Sequence, residues 1–428
     1  MIKEKLTQIF NIDFIFFRIG IFLIPSAFTI AGFFLIISLI SQTLKRRGEF
    51  LKDKMNITLI FISLLMIISC IIQNLFNKYN TDFEIENYLT WIGLFNWIPL
   101  FWAFWSSQAF FKTKNDRDII SSILIFGTIP VIISGILQYY FNIVGPFKFL
   151  NGLIIWYQRP IDEISGLTGL FNHANYAGAW LTIILPLCLS QSFNNSKKYL
   201  KKNIFKTILV GILLCIILTN SRNAWGSAIL TLPLVFGISS IRWFLPLILS
   251  ISTFILVVTN NIFKGSFQEF LRNNIPDKIW LEFTNVGFSG LNVTRLEILN
   301  SAFRVIINNP FFGTGAASFP IIYEFETGFW KGHSHNLFTE LSISYGLPCT
   351  IILIAFFGSI LFTSFKNLYR KKETNIKDRA FFVAILVFLL SQLVDIQYLD
   401  GRISLVFWLL LAGLKSINDE NKLIGYEY

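Results

Sequence analysis

The sequence predicts an all-α integral membrane protein with about 12 transmembrane helices. Charged residues make up 14% of the 428-residue chain, whereas a soluble globular protein carries about 25%. Apolar residues recur in runs of about 20 residues, which is the length a helix needs to cross the bilayer core. A transmembrane β-barrel is disfavoured because its strands alternate polar and apolar residues, whereas ILTLPLVFGISSI (229–241) is apolar on every side.

The hydropathy pattern places the membrane spans in twelve segments. They are predicted at about 14–26, 28–44, 57–76, 88–111, 119–141, 167–191, 204–219, 224–241, 243–260, 336–364, 380–397 and 402–416. Pro25 lies at the junction of the first two, so residues 14–44 fit two separate spans, a broken or re-entrant pair, or one long tilted helix.

The positive charges predict the orientation of these spans. Lys and Arg gather in every second connection, and cytoplasmic loops are the ones that carry such an excess. The basic connections are 44–54, 112–117, 197–202, Arg242 and 366–379. The net charge of +11 is therefore a topology signal and does not indicate a nucleic-acid partner. Both termini are expected in the cytoplasm, which requires an even number of spans.

The chain divides into three regions on this reading. Residues 1–260 form an N-terminal bundle of about nine spans, 261–335 a large outer loop, and 336–428 about three further spans with a cytoplasmic tail. In the loop, 292–310 has Leu296, Leu299, Ala302, Phe303 and Ile306 at helical spacing. A second amphipathic helix is predicted at 264–283. Such helices lie on the membrane surface or dock on the bundle.

All three histidines of the chain fall at the outer boundary or in the outer loop: His173, His333 and His335. Histidine exchanges a proton near neutral pH, so an outer general base is plausible. His335 and Asn336 stand where the loop re-enters the membrane, and a purely structural role at the helix entry is the alternative. His333 is a supporting residue or a second candidate for the base, and His173 suits helix packing or a substrate groove.

Three arginines near this surface are candidates for binding an anion. Arg222 lies where two spans meet, and an arginine so close to the membrane is usually there for a partner. Its guanidinium matches the oxygens of a diphosphate, although an interfacial snorkelling role also fits. Arg295 and Arg304 are nine residues apart and point to nearly opposite sides of the loop helix. We favour Arg295 and keep Arg304 as a supporting residue. We expect no metal ion and no cofactor.

Four stretches resemble the O-antigen ligase and polymerase superfamily of bacterial cell-envelope enzymes. They are NSRNAW (220–225), Arg295 followed after three residues by Leu299, the NPFFGTG turn (309–315), and His335 followed after ten residues by Gly346. The similarity is clearest over about 205–360. The chain departs from the family pattern at the extra histidine of HSHN and at Cys349, where glycine is frequent.

The resemblance implies a metal-independent, inverting glycosyltransferase with a GT-C-like membrane architecture. It would take a glycan from undecaprenyl diphosphate at the periplasmic face of the bacterial inner membrane and pass it to an acceptor hydroxyl. Arg222 and Arg295 would bind the diphosphate, and His335 would remove the acceptor proton. The acceptor would be a lipid A core, another glycan or a protein, so ligase, polymerase and protein oligosaccharyltransferase activities all remain open. A small-anion, bicarbonate-like transporter is the alternative from another class. It is disfavoured because transporters tend to carry ionisable groups at the middle of the membrane. In this chain the predicted spans between residues 57 and 260 hold hardly any charge at their centres.

Overall fold

The computed structural model describes residues 12–75, 87–161, 166–193, 199–259, 265–274, 295–369 and 375–425. These residues are overwhelmingly helical, so the prediction of an all-α fold is confirmed in its main feature. In the first half of the chain the helices are α1 (Ile12–Leu23), α2 (Phe28–Arg46), α3 (Lys54–Leu75), α4 (Asn87–Gly93), α5 (Ile98–Ser107), α6 (Lys114–Gly127), α7 (Ile129–Phe141), α8 (Ala174–Ser192), α9 (Tyr199–Leu218), α10 (Arg222–Phe236) and α11 (Ile241–Thr259). In the second half they are α12 (Ser266–Asn274), α13 (Arg295–Asn308), α14 (Ser318–Thr327), α15 (Leu337–Tyr345), α16 (Leu347–Tyr369), α17 (Ile376–Ser391) and α18 (Gly401–Gly425).

Five helical segments of the described chain are long and apolar enough to cross a membrane. They are Phe28–Lys52, Lys54–Leu75, Lys114–Phe141, Leu347–Tyr369 and Gly401–Lys422. Together with the apolar runs of the sequence they identify a helical membrane protein. The count of twelve spans, the orientation and the three-region division stay predictions.

Several predicted spans have different boundaries in the structure. Residues 14–44 form two helices, because the chain turns at 24–27 and α1 packs against α2. The predicted span 88–111 is divided into α4 and α5, with a 3-10 turn at Leu94–Asn96. The predicted span 380–397 already ends at Ser391. This last difference matters for the site, because it leaves Asp395 in a turn instead of inside a span.

One short hairpin departs from the all-helical prediction. Strand β1 (Phe147–Phe149) pairs antiparallel with β2 (Ile154–Trp156) in the connection after α7. The Trp156 indole donates a hydrogen bond to the Ser26 carbonyl at 2.8 Å, which ties the hairpin to the turn between α1 and α2. Strands of three residues are too short to show an alternating pattern in the sequence.

The loop helix α13 docks on the bundle through a face that includes Ala302 and Ile306 of the predicted set but is rotated away from Leu296 and Phe303. Ile298, Ala302, Val305 and Ile306 are buried against α14 and α15, whereas Leu296 is 67% exposed. The helix carries apolar residues on two sides, and periodicity alone does not show which side meets a neighbour. Of the predicted helix over 264–283, Ser266–Asn274 is confirmed as α12, and residues 264 and 275–283 lie outside the described part of the chain.

Helices α8, α17 and α18 pass through the centre of the protein and are buried over most of their length. At one end of this core, Arg117 pairs with Asp378 at 3.5 Å and with Glu420 at 2.5 Å. Arg117 and Asp378 belong to two of the basic connections, and Glu420 lies near the C-terminal end of α18. At the other end lie the start of α8, the end of α17 and the start of α18. A helix of 16 residues such as α17 is about 24 Å long, so the two ends are well separated.

A break at Gly346 separates α15 from α16. Gly346 has φ +88°, and a Cβ atom there would lie 2.1 Å from the Phe311 carbonyl oxygen. Gly313 has φ +65°, and a Cβ there would lie 2.2 Å from the Ile343 oxygen. Both positions therefore require glycine. The NPFFGTG turn packs directly on α15 through these two contacts, which explains in physical terms why the glycines stand where they do.

We expect Gly346→Ala to destabilise the protein by about 3 kcal/mol or more, because a side chain at positive φ is strained and the Phe311 backbone must move. Thermal unfolding in detergent measures the effect. Gly358→Ala is the matched control, since Gly358 lies within α16 with open space around it and alanine favours a helix by about 0.5–1 kcal/mol. An equal melting temperature for Gly346→Ala and wild type would contradict the tight junction.

Candidate active site

The histidine segment 331–336 is anchored where α15 begins. Asn336 caps this helix, because its Oδ1 accepts hydrogen bonds from the Phe338 and Thr339 amides at 2.9 and 3.2 Å. Its Nδ2 donates to the Leu393 carbonyl at 3.1 Å, and the Leu337 amide donates to Gln392 O at 3.0 Å. The segment is therefore fixed to residues 391–398, which we call the polar turn.

His335 forms a hydrogen-bonded pair with Asp395 of the polar turn. Its Nδ1 lies 2.9 Å from Asp395 Oδ1, and the imidazole is 28% exposed whereas the carboxylate is 7% exposed. The backbone of His335 has φ +55°, a left-handed conformation that is uncommon for residues other than glycine. The backbone conformation and the buried carboxylate together hold the ring in one orientation.

Asp395 is held by two further hydrogen bonds and stays ionised. Its Oδ2 accepts hydrogen bonds from Asn175 Nδ2 at 2.7 Å and from Gln397 Nε2 at 3.1 Å. Burial alone would raise the pKa of Asp395, but the hydrogen bond with His335 and the charges of the neighbouring histidines and Arg295 outweigh burial and lower this pKa to about 2. A carboxylate is only an acceptor. In the neutral ring of His335 the proton therefore sits on Nδ1, and the lone pair is on Nε2.

His333 has the opposite tautomer. The His335 backbone amide donates to His333 Nδ1 at 3.1 Å, so this nitrogen carries the lone pair and Nε2 carries the proton. Burial and the charge of His335 lower the pKa of His333 to about 4, and Arg295 and His173 act in the same direction. The two rings meet edge to face with centroids 4.4 Å apart. At neutral pH His333 is thus an uncharged hydrogen-bond donor.

Three helix N-termini converge on the polar turn. Asn175 is the second residue of α8 and contacts Asp395, Asn223 is the second residue of α10 and donates to Ser391 O at 3.1 Å, and Asn336 caps α15. The N-terminus of a helix carries a partial positive charge, although side chains already cap some of the N–H groups at these three. An anion placed here would therefore meet three favourable helix ends.

His173 and the arginines occupy different places around this centre. His173 caps α8 by accepting the Asn175 amide at 3.1 Å, and it is close enough to influence the pKa of His333. Arg295 begins α13 and influences the pKa of both His333 and Asp395. Arg222 begins α10, next to the Asn223 contact. Arg304 pairs with Glu326 at 3.6 Å on the far side of α13.

Asp395 is the residue that the sequence reasoning missed, together with the amides that hold it. The prediction included it in a span over 380–397 because its neighbours are apolar. A signal was present, since SQLVDIQYLD (391–400) carries two aspartates and two glutamines. Ionisable residues within an apparent span mark functional sites more often than chance.

The centre also has the composition of a metal site. One nitrogen each of His333 and His335 and one carboxylate oxygen of Asp395 lie within 4.8 Å of one another. Two imidazoles and a carboxylate form a ligand set that zinc accepts. Because the members come from two loops 60 residues apart in sequence, no single loop indicates the cluster. The expectation of a metal-free site stays a prediction.

Comparison with known proteins supports the resemblance found in the sequence. The family model described as O-antigen ligase matches residues 207–354, about a third of the chain. No curated protein gives a significant match. The matched region includes Arg222, Arg295, His333 and His335, while His173 and Asp395 lie outside it. This match supports a relationship between residues 207–354 of this chain and the O-antigen ligase superfamily.

Proposed function

We propose that this protein is an O-antigen ligase-like glycosyltransferase that moves a glycan from undecaprenyl diphosphate to an acceptor hydroxyl at the periplasmic face of the bacterial inner membrane. The observation that carries the proposal is the His335–Asp395 pair at 2.9 Å, at the core end opposite the basic connections. Arg295 and three helix N-termini lie beside it. This arrangement joins a base to a site for an anionic leaving group.

In the proposed reaction the acceptor hydroxyl loses its proton to Nε2 of His335 while its oxygen attacks the anomeric carbon of the donor sugar. The bond between this carbon and the diphosphate oxygen breaks on the opposite face, and the electron pair leaves with the diphosphate. The configuration is therefore inverted. The positive charge of His335 formed in this step is stabilised by Asp395, as in other imidazole–carboxylate pairs.

The leaving diphosphate gains negative charge as the sugar departs. Arg222 and Arg295 are proposed to bind it, because guanidinium groups donate two parallel hydrogen bonds to phosphate oxygens. His333 and His173 each use Nδ1 to accept a backbone amide. We therefore assign them as N–H donors to oxygen atoms of the substrate, and we assign His335 as the base. This mechanism needs no metal ion.

The residues above serve a ligase, a polymerase or a protein oligosaccharyltransferase equally, since these reactions share donor and leaving group. Reconstitution into vesicles with an undecaprenyl diphosphate-linked oligosaccharide tests the proposal. Lipid A core, a second lipid-linked glycan and a hydroxyl-rich peptide are offered as separate acceptors, with EDTA present throughout. We expect transfer to the lipid A core. Transfer to one of the other acceptors alone would identify that activity instead, and anion uptake without transfer to any of them would contradict a glycosyltransferase.

The arginine assignment makes a separate prediction. Arg222→Ala and Arg295→Ala are each expected to lower transfer by about 10²-fold or more, because removing one donor to a developing anion costs roughly 2.7–4 kcal/mol. Arg304→Ala is the matched control: it lies on the same helix as Arg295 but pairs with Glu326, and we expect nearly full activity. Equal losses for Arg295→Ala and Arg304→Ala would show that α13 as a whole, and not Arg295, matters.

A further inference from the structure

We infer that His333, His335 and Asp395 also bind a divalent transition-metal ion such as Zn²⁺, and that this ion inhibits the enzyme. The binding part rests on the geometry of these three side chains. The inhibitory part rests on the proposed function, because the ion would occupy the residues assigned to proton transfer.

The distances suit such an ion after small rotations of the side chains. In a tetrahedral zinc site with bonds of about 2.0–2.2 Å, neighbouring ligand atoms lie roughly 3.3–3.5 Å apart. His335 Nδ1 and Asp395 Oδ1 are 2.9 Å apart, and the three ligand atoms lie within 4.8 Å of one another. Both imidazoles are partly exposed, so they have room to adjust and the ion has access from solvent.

The ligand types define which ions bind. Imidazole nitrogen suits Zn²⁺, Co²⁺, Ni²⁺ and Cu²⁺, whereas Mg²⁺ and Ca²⁺ prefer shells made of oxygen atoms. Only one of the three ligands here is an oxygen. Mg²⁺ is therefore the matched ion that should fail to bind.

The hydrogen bonds show why the ion inhibits. An ion held between His335 Nδ1 and Asp395 Oδ1 displaces the shared proton to solvent, because metal ligands must be deprotonated. If His333 Nε2 also coordinates, the proton of that ring moves to Nδ1, and the ring can no longer accept the His335 amide. If His333 Nδ1 coordinates instead, the ion takes the place of the His335 amide as the partner of that nitrogen. The metal-bound arrangement and the hydrogen-bonded arrangement of His335 thus exclude each other.

Zn²⁺ binding to the purified full-length chain tests the inference without substrate. The chain carries no polyhistidine tag, is stripped with EDTA and is dialysed before calorimetric titration. We expect one Zn²⁺ per chain, no heat with Mg²⁺, and visible absorption bands on adding Co²⁺.

His333→Ala and Asp395→Asn should weaken Zn²⁺ binding by about tenfold or more, since even outer-shell changes cost 10–100-fold. His173→Ala, which removes a nearby histidine outside the ligand set, should bind Zn²⁺ as wild type does. His333→Asn replaces His333→Ala if the latter fails to fold, as judged by its elution profile.

A transfer assay with added Zn²⁺ separates this inference from the proposed function. Activity should fall as Zn²⁺ is added and return with EDTA. Absence of Zn²⁺ binding in an active enzyme would overturn the inference alone, as would binding that persists in both ligand variants. Zn²⁺ binding by a wild-type chain that transfers no glycan would contradict the proposed function and leave the binding site standing. Transfer that requires Zn²⁺ would overturn both the inhibition and the metal-free mechanism.

Discussion

His335→Ala is expected to lower the rate of glycan transfer by about 10²–10⁴-fold, the contribution that a positioned general base usually makes. Donor binding should change little, because the proposed diphosphate ligands remain in place. Single-turnover rates and donor affinity, measured in the same vesicles, distinguish these two effects. The melting temperature of the variant should stay close to that of wild type, since the imidazole is partly exposed.

The neighbouring histidine provides the decisive comparison for this prediction. His333 accepts a backbone amide through Nδ1, so it has no free lone pair with which to take a proton. His333→Ala should therefore reduce transfer less than His335→Ala does. The reverse order of activities would move the role of base to His333, and full activity of both variants would remove histidine from the chemistry.

Asp395→Asn is expected to cause a second large loss, of a size that approaches the roughly 10⁴-fold seen when the carboxylate of an imidazole–carboxylate pair becomes an amide. Asparagine fills the same volume, but its amide group can donate to His335 Nδ1 and so favour the tautomer with the proton on Nε2. The ring would then have no lone pair facing the acceptor. The change also removes the charge that stabilises protonated His335.

The control for Asp395→Asn is Glu326→Gln, which neutralises an acidic residue of the outer loop that pairs with Arg304. We expect this variant to keep nearly full activity. A structural role for Asp395 would show itself as a lower melting temperature and weaker donor binding together with the lower rate. A lower rate with both other quantities unchanged supports positioning of His335, and wild-type rates in Asp395→Asn would exclude it.

The sequence predicts the helical class of this fold well, because long apolar runs leave few alternatives to helices in a membrane. The sequence predicts less well where a helix is interrupted within an apolar run. The break at Gly346 depends on the approach of the Phe311 backbone, which lies 35 residues earlier in the chain. Hydropathy averages over such a break, so residues 336–364 were predicted as one span whereas the structure has α15 and α16.

The candidate site likewise has residues that the sequence reveals and residues that it does not. His335, Asn336 and Arg295 are recognisable in the sequence because rare polar residues stand out near apolar spans. Asp395 is hidden, since its apolar neighbours place it within the predicted span 380–397 and its partner His335 is 60 residues away. The choice between His333 and His335 likewise needs hydrogen-bond geometry. The two histidines lie two residues apart, and they are distinguished by the partner of Nδ1, which is a backbone amide for His333 and the Asp395 carboxylate for His335.

The polar turn is attached to three helices by the side chains of Asn175, Asn223 and Asn336. Amide groups neither gain nor lose protons in the physiological range, and neutral hydrogen bonds are little affected by dissolved salt. The two attachments between neutral groups, through Asn223 and Asn336, therefore depend little on pH or salt. In the proposed glycosyltransferase, the direction in which the His335 ring points would therefore depend little on the salt content of the surrounding medium.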